Sequence, residues 1–186
     1  MIVGIVIGAV VALMLLALAW NFNGLVRFRN RCDNAWAQID VQLTRRHDLI
    51  PNLVETVKGY AAHERETFEA VTQARANAIN AGQGGSPQQQ AHAENMLTGA
   101  LKSLFALSEA YPDLKASTSF LALQEELTST EGRIAYARQF YNDRVLGYNT
   151  RVQTFPRNVI AGPLHFTIRE FFDAEPEAEA PVAVQF

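Results

Sequence analysis

At 186 residues the chain has the length of one domain with an appendage, and its 48% apolar content is enough to build a core. Sixteen Lys and Arg against 19 Asp and Glu give a net charge of −3, so nothing in the global charge argues for nucleic acid as a partner. The single cysteine, Cys32, excludes an intrachain disulfide framework and a multi-cysteine zinc site, and it leaves the redox compartment open.

From Ile2 to Trp20 no side chain is charged or strongly polar. A helix of that length just spans a bilayer core of about 30 Å. Ala17-Leu18-Ala19 resembles a signal-peptidase site, but no basic stretch precedes the apolar run and the run is long for a cleaved leader. Residues 1–21 are therefore expected to be an uncleaved transmembrane anchor that meets the lipid bilayer through residues 2–20. Arg27, Arg29 and Arg31 follow it, and their bias favours a cytoplasmic position for the rest of the chain. Asn21-Phe22-Asn23-Gly24 has the composition of a helix C-cap or hinge.

Beyond the anchor the periodicity is helical, which predicts an all-α fold. Cys32, Trp36, Ile39 and Leu43 recur at three- and four-residue steps, Leu53, Val57, Tyr60, Phe68 and Val71 do the same, and both sets describe an apolar stripe on one helix face. Ala81 to Gln90, rich in glycine with one proline, reads as a loop. Met96, Leu97, Ala100, Leu101, Leu104 and Phe105 mark the next helix, which Pro112 ends. The longest stripe runs through Phe120, Leu123, Leu127, Ile134, Tyr141, Val145, Tyr148, Val152 and Phe155, and Pro156 closes it. The segment around Phe166, Ile168, Phe171 and Phe172 is irregular but too apolar for water. The Ala/Glu/Pro-rich stretch 173–186 reads as a disordered acidic tail.

Pro51 admits two readings. In one it sits inside a single long helix, with Leu43, Ile50 and Val57 kept in register at seven-residue steps. In the other the chain reverses over His47–Ile50, Arg45, Arg46 and His47 close one helix, and Pro51 opens the next at its first position. Burial favours the reversal, because it lets four helices share one core and cover the face from Trp36 to Leu43.

Several polar residues fall at core phase. Arg46 lies seven after Ile39 and seven before Leu53, Glu64 seven after Val57, Glu131 four after Leu127, and Arg138 four after Ile134. Such charges are costly unless paired. They either edge the stripe, with long stems covering apolar atoms, or pair across helices and fix register. Asp48 and Pro51 belong to the same stretch as Arg46. Asn142 and Asn149, seven apart, suit an inter-helix hydrogen-bond ladder or a partner surface. Trp36, Tyr60, Tyr141 and Tyr148 read as core before they read as a groove.

No catalytic set assembles from the sequence. His63-Glu64-Arg65-Glu66 begins like a zinc helix, but the second histidine is replaced by Thr67. No Glu-x-x-His pair exists for a di-metal site, and no phosphate or dinucleotide fingerprint occurs. No cofactor or metal is expected. An unrecognised carboxylate site from Glu64 and Glu131 is the enzymatic alternative.

The stretches AWAQIDVQLTRRHDLIPNLVETVKGYAAHE (35–64), Ala74-Arg75, YPDLKA (111–116), FLALQEELTSTEGRIAYARQFYNDRVLGYNTRVQTFPRN (120–158) and Phe171-Phe172 together closely resemble the LemA family. The resemblance runs from about Phe22 to Phe172. It implies a bacterial membrane protein with an N-terminal anchor and an up-and-down four-helix bundle over 22–172, and it brings no catalytic residues to carry over. Family members commonly neighbour genes for membrane metalloproteases or TPM-domain proteins, one branch takes part in magnetosome formation, and some carry a lipoprotein cysteine where this chain has Trp20. The combined expectation is a scaffold or adaptor at the inner membrane that binds itself or another protein. A regulatory subunit of a membrane protease or envelope-stress system is the alternative, and an extracytoplasmic bundle is the alternative orientation.

Overall fold

The computed structural model describes residues 1–172, and among these all regular structure is helical. The elements are α1 (Ile2–Lys58), α2 (Arg65–Gly84), α3 (Pro87–Ser108), α4 (Pro112–Lys115), α5 (Thr118–Gln153) and α6 (Arg157–Ala161). Four of them are long: α1, α2, α3 and α5. The acidic stretch 173–186 lies outside the described residues.

The chain forms two compact units, to both of which α1 and α5 contribute. One comprises Met1–Ala37 and Phe140–Arg169; the other comprises Gln38–Gln139 and, among the described residues, 170–172. In the first unit, Leu25, Cys32, Ala35, Tyr141, Val145, Tyr148 and Phe166 are buried. Trp36 and Tyr141 meet edge to face at 5.1 Å. The core of the second unit draws on Leu53, Val57, Phe68, Val71, Leu97, Leu104, Phe120 and Leu127.

The expected reversal at Pro51 does not occur. α1 runs through Pro51 without a break, and so it also runs through Asn21–Gly24, which is neither cap nor hinge. Seven-residue phase decides the matter: Leu43, Ile50 and Val57 are each at most 1% exposed on one continuous face. The face that seemed to need a reversal is covered by α5, whose Tyr141 meets Trp36 and whose Glu126 and Glu131 pair with Arg45 and Arg46. The chain turns back later, over Gly59–Glu64, where Tyr60 and Ala61 both donate to the Val57 carbonyl at 3.0 and 2.9 Å.

A proline inside a helix leaves a carbonyl one turn earlier without its donor. Here that carbonyl belongs to His47, and the Arg75 guanidinium on α2 supplies the missing hydrogen bond, Nε donating to His47 O at 2.6 Å. The contact also sets α2 antiparallel beside α1.

The 81–90 loop is shorter than expected. α2 continues to Gly84 and α3 begins at Pro87. Ser86 and Gln89 form a reciprocal capping box with Pro87 in the first turn. Gly85 is required at the turn, because a Cβ there would lie 2.5 Å from the Ala81 carbonyl oxygen. α3 ends at Ser108, just before Pro112 as expected, and Pro112 opens α4, with Tyr111 before it outside the helical region at φ −123° and ψ 88°. The α5 stripe stops at Val152; Phe155 is 81% exposed and does not belong to it. Met96 and Tyr60 are likewise exposed. The segment after α5 is not wholly irregular, since α6 forms within it.

The pairing of Pro51 with Arg75 makes a coupled prediction. Arg75→Met should lower unfolding stability by about 1–3 kcal/mol, the cost of a buried carbonyl left without a donor. In a Pro51→Ala background the restored Ala N–H takes up the His47 carbonyl and most of that cost should vanish. Urea unfolding of the four proteins of the cycle measures the difference.

Candidate functional site

The second unit contains one built polar cluster. Arg46 and His47 are consecutive on α1, Glu94 and Thr98 lie one turn apart on α3, and Glu131 is on α5. Arg46 is 1% exposed and heads the large fully buried side chains among the described residues. Its Nη2 donates to Glu94 Oε2, and its Nη1 donates to Glu131 Oε1 and, at 3.0 Å, to Thr98 Oγ1. The Thr98 hydroxyl spends its own proton on the Glu94 backbone carbonyl at 3.1 Å, which leaves its lone pairs for Arg46. The second carboxylate oxygen of Glu94 accepts from His47 Nε2 at 2.9 Å. Glu94 is 2% exposed, whereas the Glu131 side chain is 38% exposed at the rim. Outside the rim, Arg45 pairs with Glu126, both part exposed, where an ion pair contributes little.

Burial alone would raise the Glu94 pKa. The hydrogen bond from His47 and the charge of Arg46 outweigh burial and hold this carboxyl below the usual carboxylate range. Glu94 is therefore an ionised acceptor with both oxygens engaged, which suits a structural counter-ion and not a proton-transferring base.

The residues singled out from the sequence have different fates. Arg46 and Glu131 come together in this cluster. Asp48 and Pro51 lie exposed on α1. Glu64 precedes α2, is half-buried, and accepts from the Tyr111 hydroxyl at 3.0 Å, so it does not join Glu131 in a carboxylate site. Arg138 lies 4.9 Å over the ring of buried Phe172, and its Nη1 is 3.5 Å from Asn95 Oδ1. Asn142 is half-buried on α5. In the first unit, Asn149 binds the backbone of the C-terminal segment in both senses: Nδ2 donates to Arg169 O and Arg169 N donates to Oδ1, each at 2.8 Å. Arg169 in turn pairs with Asp33 at 2.7 Å. Phe166, 4% exposed, packs on Phe22, while Ile168 stays 62% exposed.

The sequence reading missed Glu94 and His47. Glu94 carries the same signal as Arg46, since it precedes Leu97 and Leu101 by three and seven on the α3 stripe. His47 carries none, because its surroundings read as a helix end whereas α1 runs on through it. Among the described residues no group of three or more His, Cys, Asp or Glu gathers as a metal site.

The pH dependence of the cluster follows from the lowered Glu94 pKa. A depressed folded value gives a stabilising contribution that is fully present above the unfolded carboxylate pKa of about 4.3 and is lost as pH falls through the lower folded value. Glu94→Gln should cost about 3–5 kcal/mol at pH 7, since it strands Arg46 without its buried partner. The gap from the unsubstituted protein should close as the pH drops below about 4. Thermal melts followed by circular dichroism from pH 7 to pH 2.5 read both.

The chain was compared with known proteins. The LemA family profile matches residues 35–186. The protein LemA of Metamycoplasma hominis is 31% identical over 143 residues, which cover 76% of this chain and 64% of that one. Magnetosome protein MamQ 2 of Paramagnetospirillum magneticum is 25% identical over 189 residues, covering 89% of this chain and 69% of that protein. Magnetosome protein MamQ of Magnetospirillum gryphiswaldense is 24% identical over the same length. The chain thus spans roughly two thirds of the length of these relatives, 64% in the first case and 69% in the others. With an N-terminal helix long and apolar enough to cross a membrane, it is a membrane-associated helical protein. On the profile match over most of its length, the chain belongs to the LemA family.

Proposed function

We propose that the protein is a membrane-anchored scaffold or adaptor that holds a protein partner, or further copies of itself, at the bilayer, with no catalysis of its own. The observation that carries this reading is the Arg46–Glu94–Glu131 cluster. Among the described residues this buried constellation is turned inward and spends its charges on pairs between α1, α3 and α5. A site built for turnover leaves a donor, acceptor or charge facing substrate; this one faces itself. The apolar stretch of α1, in contrast, is wholly unburied within the chain and needs lipid. The likeness to proteins named as magnetosome proteins supports work at a membrane.

In this reading Arg46 and Glu131 position helices, Asn149 and Arg138 hold the C-terminal segment, and the partner meets the outer helical faces. Arg27, Arg29 and Arg31 support a cytoplasmic position for those faces; a pair of compartment-specific reporters fused after Phe172 would give the opposite signal for an extracytoplasmic domain.

Photo-crosslinking in living membranes tests the proposal. The crosslinker replaces Val41, Met96 or Leu121, apolar residues 62%, 55% and 46% exposed. Discrete adducts are expected from at least one position, and their mass separates a second copy of the chain from another protein. A membrane protease as adduct would make the protein a regulatory subunit. Absence of any adduct at all three positions would overturn the binding reading.

A further inference from the structure

The first unit carries a feature that neither the anchor nor the polar cluster uses. Leu18 and Ala19, inside the apolar run of α1, line an open apolar groove together with Phe22, Val159, Ile160, Pro163 and Leu164. The groove fixes the height of the α6 region on the anchor. Leu18 belongs to the stretch that needs hydrocarbon, and Trp20 marks the interface where tryptophan prefers to sit. Side chains sharing a groove with Leu18 therefore reach the bilayer boundary. Around α6, Phe155, Val159 and Leu164 are 81%, 63% and 46% exposed, and they extend the apolar surface of the anchor sideways.

Cations gather just beyond this apolar surface. Arg157 lies against Gly24, its Nε and Nη2 each 3.9 Å from where a Cβ would stand. That is one helical turn, about 6 Å, past Trp20. The Arg157 Nε is buried without a hydrogen-bond partner. Arg151 stacks on the Phe28 ring at 3.6 Å, and Arg31 approaches the same ring at 4.9 Å. Burial, and then the like charges of Arg157 and Arg31, press the Arg151 guanidinium below its ordinary pKa. Among the described residues none of these three arginines is in a salt bridge with a carboxylate. Three guanidinium groups crowded without a carboxylate, at the height of the lipid headgroups, are matched by phosphate esters, which arginine binds through paired N–H donors.

We propose that Arg31, Arg151 and Arg157, with Phe155, Val159 and Leu164, form a second membrane contact that binds the phosphate of anionic phospholipid beside the anchor. The apolar side chains enter the boundary of the hydrocarbon and the arginines engage the headgroup above it. The contact would hold the first unit down on the bilayer, which a lone helix does not do. It stands independently of whether the protein is a scaffold.

The test uses the full chain with Val159→Cys labelled by nitrobenzoxadiazole; Cys32 is buried, and the unsubstituted protein serves as the labelling blank. The protein is reconstituted in phosphatidylcholine vesicles containing an equal fraction of either spin-labelled phosphatidylglycerol or spin-labelled phosphatidylcholine. Blue-shifted emission and quenching by both lipids are expected, with a preference for phosphatidylglycerol. Each arginine near an anionic surface contributes roughly five-fold to that preference. Arg157→Gln should lower it by about that factor while leaving the blue shift. Arg31→Gln, at an exposed position that cannot disturb the core, should do the same. A label on Asp143→Cys, earlier on α5 than Arg151, should remain unquenched. Water-like emission at position 159 would overturn the proposal, as would crosslinking of that cysteine to another protein chain in place of lipid. Equal quenching by the two lipids, or a preference that survives both arginine substitutions, would overturn the phosphate site.

Discussion

A guanidinium removed from water has to be met by carboxylates, and that requirement at Arg46 organises the second unit. Its two partners come from helices far apart in sequence: Glu94 from α3 and Glu131 from α5. Apolar stripes alone define helix faces but tolerate a shift along the axis, because one leucine can replace another as a neighbour. A buried charge pair does not tolerate it. Advancing α3 by one residue swings Glu94 by about 100° around the helix, away from Arg46, and the penalty for the stranded charges exceeds the small differences between alternative apolar packings. The electrostatics thus select one register from the several that burial allows.

The same short stretch of α1 absorbs a defect in the backbone. Pro51 withholds one N–H, and the His47 carbonyl it should have satisfied is taken by Arg75 from α2. The side chain of His47 meanwhile supports Glu94. One residue therefore links the α2 contact through its main chain and the α3 contact through its side chain. Pro51 keeps a helical path because the neighbouring helix completes what it lacks.

Helical class, the apolar anchor and the presence of four long helices are legible in the chain, since they depend on composition and on periods that a run of side chains displays directly. The helix ends are less so. Pro51 carries the local signals of a helix start, and only Arg75, 24 residues on and invisible as a partner in one dimension, converts it to an interior position. The glycines at 82, 84 and 85 suggest a long loop, whereas the Ser86–Gln89 capping box restricts the break to Gly85 and Ser86. At the candidate site, Arg46 and Glu131 stand out because charges at core phase are anomalous. Glu94 breaks the same rule and was legible; His47 obeys no rule that one sequence can show, because its role is set by a carboxylate from another helix.

The Asn149–Arg169 contact has a consequence for how the C-terminal segment tolerates change. A carboxamide carries one N–H face and one C=O face, so it imitates a peptide group, and here it grips the amide and the carbonyl of a single residue. Such a clasp reads main chain and ignores side-chain identity. The clasp itself is then indifferent to the side chain at 169, where every residue except proline presents the same two groups, while the Arg169 guanidinium makes a separate contact with Asp33. Position 149 has no such latitude: aspartate loses the donor, leucine loses both faces, and glutamine places the amide one carbon too far. The clasp therefore constrains the side chain at 149 and, at 169, only the main chain.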